Sequence, residues 1–551
     1  MFTTHIYRNL RPFAPTFLLF ASPLVLSPIL INNSKESACV YCICLMTFYW
    51  VGEVVPLAVT SFLPLFLFPA LGIMSAKDTA QQYLKDTSMI LIITLIAAIA
   101  VEECQLHRRI ALNVLSWTGG QFRWTLAAFA LSTCFVSFWM LDTAATAVML
   151  PIAIATLEAK KQAEEEQENV DLATAKINKR IWKCLTLVCS QASLIGGTGI
   201  ITATQANIIF RDVIETRYPE GEVKITYMTW MAFAIPPLIG YLLASWVVLQ
   251  VVFLGPKSLL DVFRRSTAQE SKQAERMRTG INRLCKTLGP MTFAEKSVLF
   301  LYAIMILSWM FRDPGFMPGW SALLDDDKRK MISDSTVGIL VIFAFFAWPR
   351  ERPDFLCWRS RDAEDAKKTD PVSKQSILTW EIVNRRLPWS VVFLNGAGYA
   401  VSKAVQTSGL SHSVSIFVLE LLHNASPICV QAIITTAITF VTEIMTCSAT
   451  ASIFIPICLN IAESLHLHPF YLGLPAAIAP SFAFMLPMAT PPNAIVYESG
   501  VVRMWEMVMS GVLLNFSCIF ITILNINTWT FWFFHMSHSP LNASAINNTS
   551  L

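Results

Sequence analysis

The stretch TAATAVMLPI at residues 143–152 has a counterpart, SATASIFIPI, at residues 448–457. Each begins with a hydroxyl side chain, continues through small and apolar residues and ends on proline followed by isoleucine. Downstream, Ala203-Thr-Gln-Ala-Asn207 matches Ala489-Thr-Pro-Pro-Asn493. Two motifs repeated in one order predict that the chain contains two related halves. Their spacing differs because a charged segment near residues 159–181 lengthens the first half.

Each repeated motif lies beside an interruption in an otherwise apolar segment. Residues 122–155 and 428–461 are apolar with polar residues near the middle, which predicts two re-entrant hairpins that enter and leave a membrane on one side. Gly196-Gly-Thr-Gly199 interrupts one later span, and Pro487 with Pro491-Pro492 interrupts its counterpart. Glycine and proline are also common in ordinary membrane helices, but interruptions in register across a repeat favour functional breaks.

The composition is that of a membrane protein. Of 551 residues, 54% are hydrophobic and 14% are charged, whereas soluble proteins carry about 25% charged residues. Mean hydropathy is +0.52, and the net charge of +3 argues against a nucleic-acid-binding protein. We predict an all-α polytopic membrane protein with about eleven transmembrane helices plus two re-entrant helical hairpins in an inverted repeat. The predicted spans are 14–31, 37–50, 56–73, 87–101, 182–210, 228–254, 297–311, 336–348, 389–405, 470–496 and 507–534.

Basic residues near the span ends predict the orientation. The connection at residues 256–296 carries nine lysines and arginines, which places it in the cytoplasm. The acidic run Asp325-Asp-Asp327 fits the opposite side, so we expect a cytoplasmic N-terminus and an extracellular C-terminus. Glycosylation sequons fall on predicted outside segments, which indicates the plasma membrane. The sequon asparagines are Asn32, Asn542, Asn547 and Asn548.

The breaks suggest what such a protein binds. A half-helix offers unpaired N–H groups and a partial positive charge at its N-terminus, while freed carbonyl oxygens coordinate a small cation. The repeat therefore predicts a transporter that binds an anion and a coupling cation together. Cys39-x-x-Cys42 has a spacing found in metal sites, but it lies in an apolar span without a second Cys or His pair, so we interpret it as apolar packing.

The segment at residues 481–496, SFAFMLPMATPPNAIV, resembles the signature of the animal carboxylate branch of the divalent anion/sodium symporter family. Tyr83-Leu-Lys-Asp-Thr87, Leu106-His-Arg-Arg-Ile-Ala111, Glu53–Thr60 and Gly196-Gly-Thr-Gly199 extend the resemblance over nearly the whole chain. The resemblance implies a sodium-coupled symporter of di- or tricarboxylates such as succinate and citrate. Sodium would be the coupling ion, with no other cofactor.

The same resemblance implies an elevator-type homodimer in lipid. Scaffold helices would occupy residues 1–121 and, with cytoplasmic connections, 256–412. The transport region would occupy 122–255, with the inward hairpin and first broken helix, and 413–534, with the outward hairpin and second broken helix. Residues 535–551 would form an extracellular tail.

Both hairpin tips depart from the family pattern. The family usually carries Ser-Asn-Thr there, whereas this chain has Leu141-Asp-Thr143 and Thr446-Cys-Ser448. By resemblance, substrate contacts are expected from Thr143, Asn207, Thr446, Ser448, Thr490 and Asn493. Sodium contacts are expected from Asp142, Thr143, Gly197, Thr198, Asn207, Cys447, Ser448, Ala489 and Asn493.

Asp142 is the residue with most influence on this interpretation. A carboxylate at membrane depth costs roughly 2.5 kcal/mol or more unless a cation or proton neutralises it. It would strengthen sodium binding and repel a dianion, or it would be protonated, or it would face a water-filled vestibule. The altered tips leave two alternatives open, a transport-deficient regulatory partner and a sulfate-type anion symporter. An enzyme is not predicted, because the sequence contains no recognisable catalytic triad, phosphate loop or metal cluster.

Overall fold

The computed structural model describes residues 14–52, 54–116, 122–165, 172–218, 224–256, 289–314, 317–351, 376–421, 425–487 and 489–536. Within these ranges the protein is helical, and its one β-type contact is an isolated bridge between Pro349 and Ser376. The first twelve α-helices are α1 Ala14–Leu26, α2 Lys35–Gly52, α3 Leu57–Thr60, α4 Leu63–Ala70, α5 Ala76–Tyr83, α6 Asp86–Glu103, α7 Leu106–Ser116, α8 Phe122–Trp139, α9 Asp142–Glu165, α10 Leu172–Gly197, α11 Gln205–Arg217 and α12 Tyr227–Leu254. The next twelve are α13 Phe293–Met310, α14 Asp326–Met331, α15 Asp334–Ala347, α16 Trp380–Arg386, α17 Trp389–Thr407, α18 Leu410–Leu421, α19 Pro427–Thr442, α20 Cys447–Ser464, α21 Pro469–Ile478, α22 Pro491–Glu498, α23 Met504–Asn525 and α24 Phe531–Phe533.

Five helical segments of the described chain are long and apolar enough to cross a membrane, which supports a multi-pass membrane protein. They are Ala76–Glu103, Tyr227–Leu254, Phe293–Met310, Cys447–Ser464 and Met504–Phe533. Several predicted spans are instead shorter or divided. The span predicted at 56–73 consists of two short helices, α3 and α4, with a turn at Ser61 and Phe62. The total of about eleven crossings therefore stays a prediction.

Both predicted hairpins form. Helices α8 and α9 meet at a two-residue tip, Met140 and Leu141, while α19 and α20 meet at residues 443–446. The second tip is fixed by Thr446, whose hydroxyl accepts the Ala449 N–H at 3.4 Å and caps α20. The second helix of each hairpin, α9 or α20, begins next to the repeated motif. Its N-terminus therefore lies at the hairpin tip.

Both later spans are broken as the glycine and proline residues predict. Helix α10 ends at Gly197 and α11 begins at Gln205, with a single 3₁₀ turn at Ile201–Ala203 between them. Helix α21 ends at Ile478, and α22 begins at Pro491 after a 3₁₀ turn at Ala479–Ser481. We call the segment at 198–204, between α10 and α11, the first break, and the described residues of 479–490, between α21 and α22, the second break.

The repeat extends beyond the motifs that reveal it in the sequence. Helix α6 leads into the short amphipathic helix α7 through Gln105 with φ of 56°, and α17 leads into α18 through Gly409 with φ of 83°. Both positions therefore use the left-handed region to turn the chain before a hairpin. The order from α6 to α12 matches the order from α17 to α23.

The described residues form two apolar clusters. The larger includes both hairpins and both broken helices, and the smaller joins α2, α4 and α17. Cys39 and Cys42 are fully buried in the smaller cluster, as the apolar interpretation predicted. Helix α17 also packs closely on the second hairpin. The contact requires glycine at position 398, since a Cβ there would lie 2.3 Å from the Ser452 Oγ.

Candidate transport site

The first hairpin packs directly against the first break. A Cβ on Gly196 would lie 2.5 Å from the carbonyl oxygen of Cys134, so this glycine permits the close approach of α8 and α10. The Ser137 hydroxyl donates to the Ser193 carbonyl at 2.5 Å across the same contact. The hairpin and the break therefore form one buried unit.

The tip of the second hairpin connects the rest of the site. Helix α20, which begins at Cys447, packs against α11 and against the 3₁₀ turn at Ala479–Ser481 of the second break. Helix α9, which begins at Asp142 beside the first tip, packs against α22. The structure thus brings together both tips and both breaks, as the inverted-repeat interpretation requires.

Asn207 stabilises the first break. Its side-chain amide donates to the Gly197 carbonyl at 3.1 Å and to the Ile200 carbonyl at 3.0 Å, and the residue is fully buried. These two bonds satisfy carbonyl oxygens that lose their helical partners where α10 ends. Its amide oxygen, Oδ1, is buried and accepts no hydrogen bond within the described structure.

Asn493 performs the same role at the second break. Its amide donates to the Ala483 carbonyl at 2.8 Å and to the Leu486 carbonyl at 3.1 Å. The sequence separations, 10 and 7 residues, are identical to those of the Asn207 bonds. The aligned asparagines are therefore equivalent in three dimensions. Unlike Asn207, however, Asn493 has an occupied Oδ1, which accepts a hydrogen bond from the Ser190 hydroxyl.

Thr204 and Thr490 also occupy equivalent places, each as the extended residue immediately before a half-helix. Both hydroxyl oxygens are buried and lack a hydrogen-bond partner among the described residues. An oxygen in this condition loses its hydration without compensation, unless a ligand or water supplies a partner. The Ser448 hydroxyl at the second tip is in the same condition.

Asp142 is the first residue of α9, and Thr143 follows it. The Asp142 Oδ1 accepts hydrogen bonds from the Thr143 N–H at 2.6 Å and the Thr143 hydroxyl at 3.1 Å. These donors and the N-terminal end of a 24-residue helix offset part of the cost of burying a carboxylate. Across the described ranges, Asp142 has no ion-pair partner.

The remaining predicted site residues differ in whether the protein already provides hydrogen-bond partners for their polar groups. The Thr198 hydroxyl donates to the Ile195 carbonyl at 2.7 Å, and its own carbonyl accepts the Trp230 indole N–H at 3.0 Å. Thr198 thus has its main polar groups engaged by the protein. Gly197 uses its carbonyl to receive Asn207, and Ala489 lies buried just before Thr490. The sequons at Asn542, Asn547 and Asn548 lie outside the described residues, whereas Asn32 is exposed at the end of a 3₁₀ turn.

Glu443 is a buried acidic residue of the second hairpin. It is buried next to the second tip and accepts the N–H groups of Met485 at 3.1 Å and Leu486 at 3.1 Å, both in the second break. Asn515 of α23 donates a third hydrogen bond at 2.8 Å. This carboxylate therefore fixes the second break to the second hairpin. An acidic residue inside an apolar hairpin was the available sequence signal.

A line of hydroxyls that sequence reasoning missed connects the two halves. Ser193 and Thr146 share a hydrogen bond of 2.7 Å, and Ser193 also donates to the Ser190 carbonyl at 2.8 Å. Ser190 in turn reaches Asn493. The polar residues of α10, three positions apart on one face, were the available signal.

An ionic network joins α11 to helices outside the hairpin pair. Asp212 accepts from the Lys85 ammonium at 3.1 Å and the Thr87 hydroxyl at 3.2 Å. The adjacent Arg211 binds Asp334 of α15 at 2.6 Å, and Arg312 binds the same carboxylate at 2.7 Å. These contacts hold the outer half of the first broken helix against α6 and α15.

Comparison with known proteins shows a multi-pass membrane transporter, since the family and the relatives that match are transporters and not enzymes. The sequence pattern of the protein family described as "Sodium:sulfate symporter transmembrane region" matches residues 8–536. The chain belongs to this divalent anion:sodium symporter family, which confirms the resemblance noted in its sequence.

Three relatives align along nearly their whole lengths. An uncharacterized transporter of Caenorhabditis elegans is 43% identical over 554 residues, covering 96% of this chain and 95% of the relative. The sodium-dependent high-affinity dicarboxylate transporter 2 of the same organism is 41% identical over 550 residues, covering 97% of each. The Na(+)/citrate cotransporter of Rattus norvegicus is 33% identical over 553 residues, covering 95% and 96%.

A solved structure shares the fold. The YdaH transporter of Alcanivorax borkumensis superposes with a TM-score of 0.51 over 84% of this chain and 88% of its own, at 11% identity. At this level of identity the similarity concerns architecture alone.

Proposed function

We propose that this protein is a sodium-coupled symporter of di- or tricarboxylates, such as succinate and citrate, at the plasma membrane. The observation that carries the proposal is the pair of equivalent asparagine-stabilised breaks facing two hairpin tips. Full-length similarity to a sodium-dependent dicarboxylate transporter and a sodium/citrate cotransporter supports the substrate class.

The anion would bind between the tips. Thr143, Thr446, Ser448 and Thr490 would donate hydroxyl hydrogen bonds, and the N–H groups at the start of α11 would add a partial positive charge. Asn207 and Asn493, whose amide N–H groups donate to backbone carbonyls, would hold the breaks in the shape that permits these contacts.

Sodium ions would bind beside the breaks, because sodium prefers oxygen ligands and the site contains buried oxygens without partners. The ligands would come from Asp142, Thr143, Gly197, Thr198, Asn207, Cys447, Ser448, Ala489 and Asn493. Of these, the Asp142 carboxylate and Asn207 Oδ1 offer the strongest acceptors. Sodium entering down its gradient would drive uptake, with about 2.3 kcal/mol per net charge moved across 100 mV.

The proposed motion is of the elevator type, in a lipid-embedded homodimer. The transport region, residues 122–255 and 413–534, would move against scaffold helices within residues 1–121 and 256–412. The N-terminus would be cytoplasmic, and the C-terminal tail, residues 535–551, would be extracellular and glycosylated together with Asn32.

Uptake of labelled succinate and citrate into cells expressing the full chain tests the proposed activity. We expect uptake in sodium that falls at least about tenfold when choline replaces sodium. Surface labelling must first establish that the protein reaches the plasma membrane. Sodium-dependent uptake of sulfate in place of carboxylates would identify the sulfate-type alternative, and a correctly located protein that transports none of them would favour the regulatory-partner alternative.

The Lys85–Asp212 ion pair yields a prediction about the proposed motion. Since α11 would have to leave α6 during the motion, Asp212→Asn should weaken the conformation described here by about 1–2 kcal/mol, a population change of roughly 5- to 30-fold. Cross-linking between cysteines introduced in α6 and α11 of an otherwise functional protein would measure that change.

Glu215→Gln is a suitable control for this prediction. Glu215 pairs with Arg211 at 2.7 Å within α11 itself, so that contact stays intact when the helix moves as a body. The double charge reversal Lys85→Asp with Asp212→Lys should restore cross-linking. Equal cross-linking in the wild type and Asp212→Asn would contradict the assignment.

A further inference from the structure

The two breaks are equivalent in shape but differ in one chemical respect. Asn207 and Asn493 make the same pair of amide bonds to carbonyls 10 and 7 residues earlier. Since these bonds fix the orientation of each amide, the Oδ1 atom of each points to the opposite side. Asn493 Oδ1 is occupied by the Ser190 hydroxyl, whereas the fully buried Asn207 Oδ1 has no partner within the described ranges.

The sequence explains this difference at a single pair of positions. Ser190 and Gly197 are both in α10, while Ala476 is in α21 and Ala483 is in the second break. The number of residues from Ser190 to Gly197 equals the number from Ala476 to Ala483. Gly197 and Ala483 are the equivalent carbonyls that receive the two asparagines. In the internal repeat Ala476 is thus the counterpart of Ser190, and its methyl group cannot donate a hydrogen bond to Asn207. Both Ser190 and Ala476 are buried, so a difference in solvent exposure does not explain why one is polar and the other apolar.

We infer that the two breaks are unequal cation sites, with the first binding sodium more tightly because Ala476 leaves Asn207 Oδ1 free. This inference rests on the proposed sodium coupling. At the first break, Asn207 Oδ1 and Thr204 Oγ1 are both buried acceptors without a protein partner. Hard oxygen atoms in this condition suit an alkali cation, which gives them the contact that they lack.

Ser190 gives the second break a different role. Its hydroxyl occupies the Asn493 oxygen that would otherwise face a cation, and its carbonyl receives Ser193 of the same helix. Ser193 continues to Thr146 in the first hairpin. Ser190 is thus a positioning residue that links the second break to the first hairpin, and sodium bound there has one fewer free side-chain acceptor.

Ala476→Ser in the full-length protein tests the inference, because it places the hydroxyl of Ser190 at the equivalent site. The serine should donate to Asn207 Oδ1 and compete with sodium. We expect the sodium concentration for half-maximal thermal stabilisation of the purified protein to rise about tenfold. Ala477→Ser is the matched control, since Ala477 is equally buried one position along the helix; its half-maximal concentration should stay within about twofold of the wild type.

Ser190→Ala supplies the converse measurement. It should lower the melting temperature in sodium-free buffer by breaking the link to Asn493, and because it frees Asn493 Oδ1 for a cation, the half-maximal sodium concentration should stay the same or fall. An unchanged sodium response in Ala476→Ser, or a tenfold weakening in Ser190→Ala alone, would overturn the inference. Such a result with a sodium-stabilised wild type would leave the proposed function standing. A wild type that sodium stabilises no better than choline would instead contradict sodium coupling itself.

Discussion

Asp142→Asn is expected to raise the sodium concentration for half-maximal stabilisation by about tenfold, which corresponds to about 1.4 kcal/mol. The carboxylate is held by Thr143 at the start of α9 and has no basic partner in the part of the chain that the structure describes. When a cation neutralises it, the carboxylate contributes a full negative charge, which the amide would replace by a dipole. At an effective dielectric constant of 20, a charge pair 4 Å apart gains about 4 kcal/mol, so the predicted loss is within reach of one such contact.

The same substitution should act in the opposite direction on a dianionic substrate. Removing the carboxylate removes a repulsion at the first tip, so the KM for succinate at saturating sodium should fall severalfold. The two measurements therefore separate cation binding from anion binding. Transport assays alone would mix both effects.

Cys447→Asn is the matched control for Asp142→Asn. Cys447 occupies the position of the second tip that is equivalent to Asp142 and is itself one of the proposed sodium ligands. Replacing its thiol by an amide oxygen adds a harder ligand without changing charge, so the half-maximal sodium concentration should not rise, in contrast to Asp142→Asn. If Asp142→Asn leaves both sodium response and KM unchanged, its side chain is protonated or faces a vestibule, and it takes no part in binding.

Replacing Glu443 with alanine should abolish transport and destabilise the protein by about 3 kcal/mol or more. Three donors lose their acceptor together, namely the N–H groups of Met485 and Leu486 and the Asn515 amide. Each buried donor without a partner costs about 1–3 kcal/mol. Because two of the donors belong to the second break, the loss should disturb the site and not only the surrounding packing.

Thermal unfolding of the purified variant, together with its surface expression, measures this effect. Glu443→Gln should be intermediate, since it keeps one acceptor oxygen but turns an NH₂ group toward backbone donors. Glu498→Ala is the control, because Glu498 is exposed at the end of α22 and should cost less than about 0.5 kcal/mol. A melting temperature for Glu443→Ala within error of the control would refute the assigned role.

The sequence predicts the architecture because its signals are local. Apolar stretches, hairpin interruptions and the glycine and proline residues of the breaks each act on nearby backbone, and the hairpins and breaks form where they predict. The sequence alignment of Asn207 with Asn493 is also confirmed. Each side chain binds two backbone carbonyls, and the sequence separations between the asparagine and those carbonyls are identical in the two breaks.

Other features depend on contacts between distant residues. Glu443 in the second hairpin acquires its role only where Met485, Leu486 and Asn515 surround it. The pairing of Lys85 with Asp212 joins segments 127 residues apart, and neither residue type indicates a partner by itself. The symmetry of α7 and α18 was also hidden, because the left-handed turn before each uses different residues, Gln105 and Gly409.

By itself, the sequence determined a helical membrane protein of two related halves, since hydropathy and repeated motifs constrain each segment independently. The tertiary structure alone decided which buried oxygens are already paired and which are free. Ser190 and Ala476 show why. A hydroxyl and a methyl group at equivalent positions have little effect on the course of their helices, but only the packing of the two halves brings one of them to an asparagine in the other half. Hydrogen bonding is short-ranged and directional, so its outcome depends on distances that no local pattern encodes.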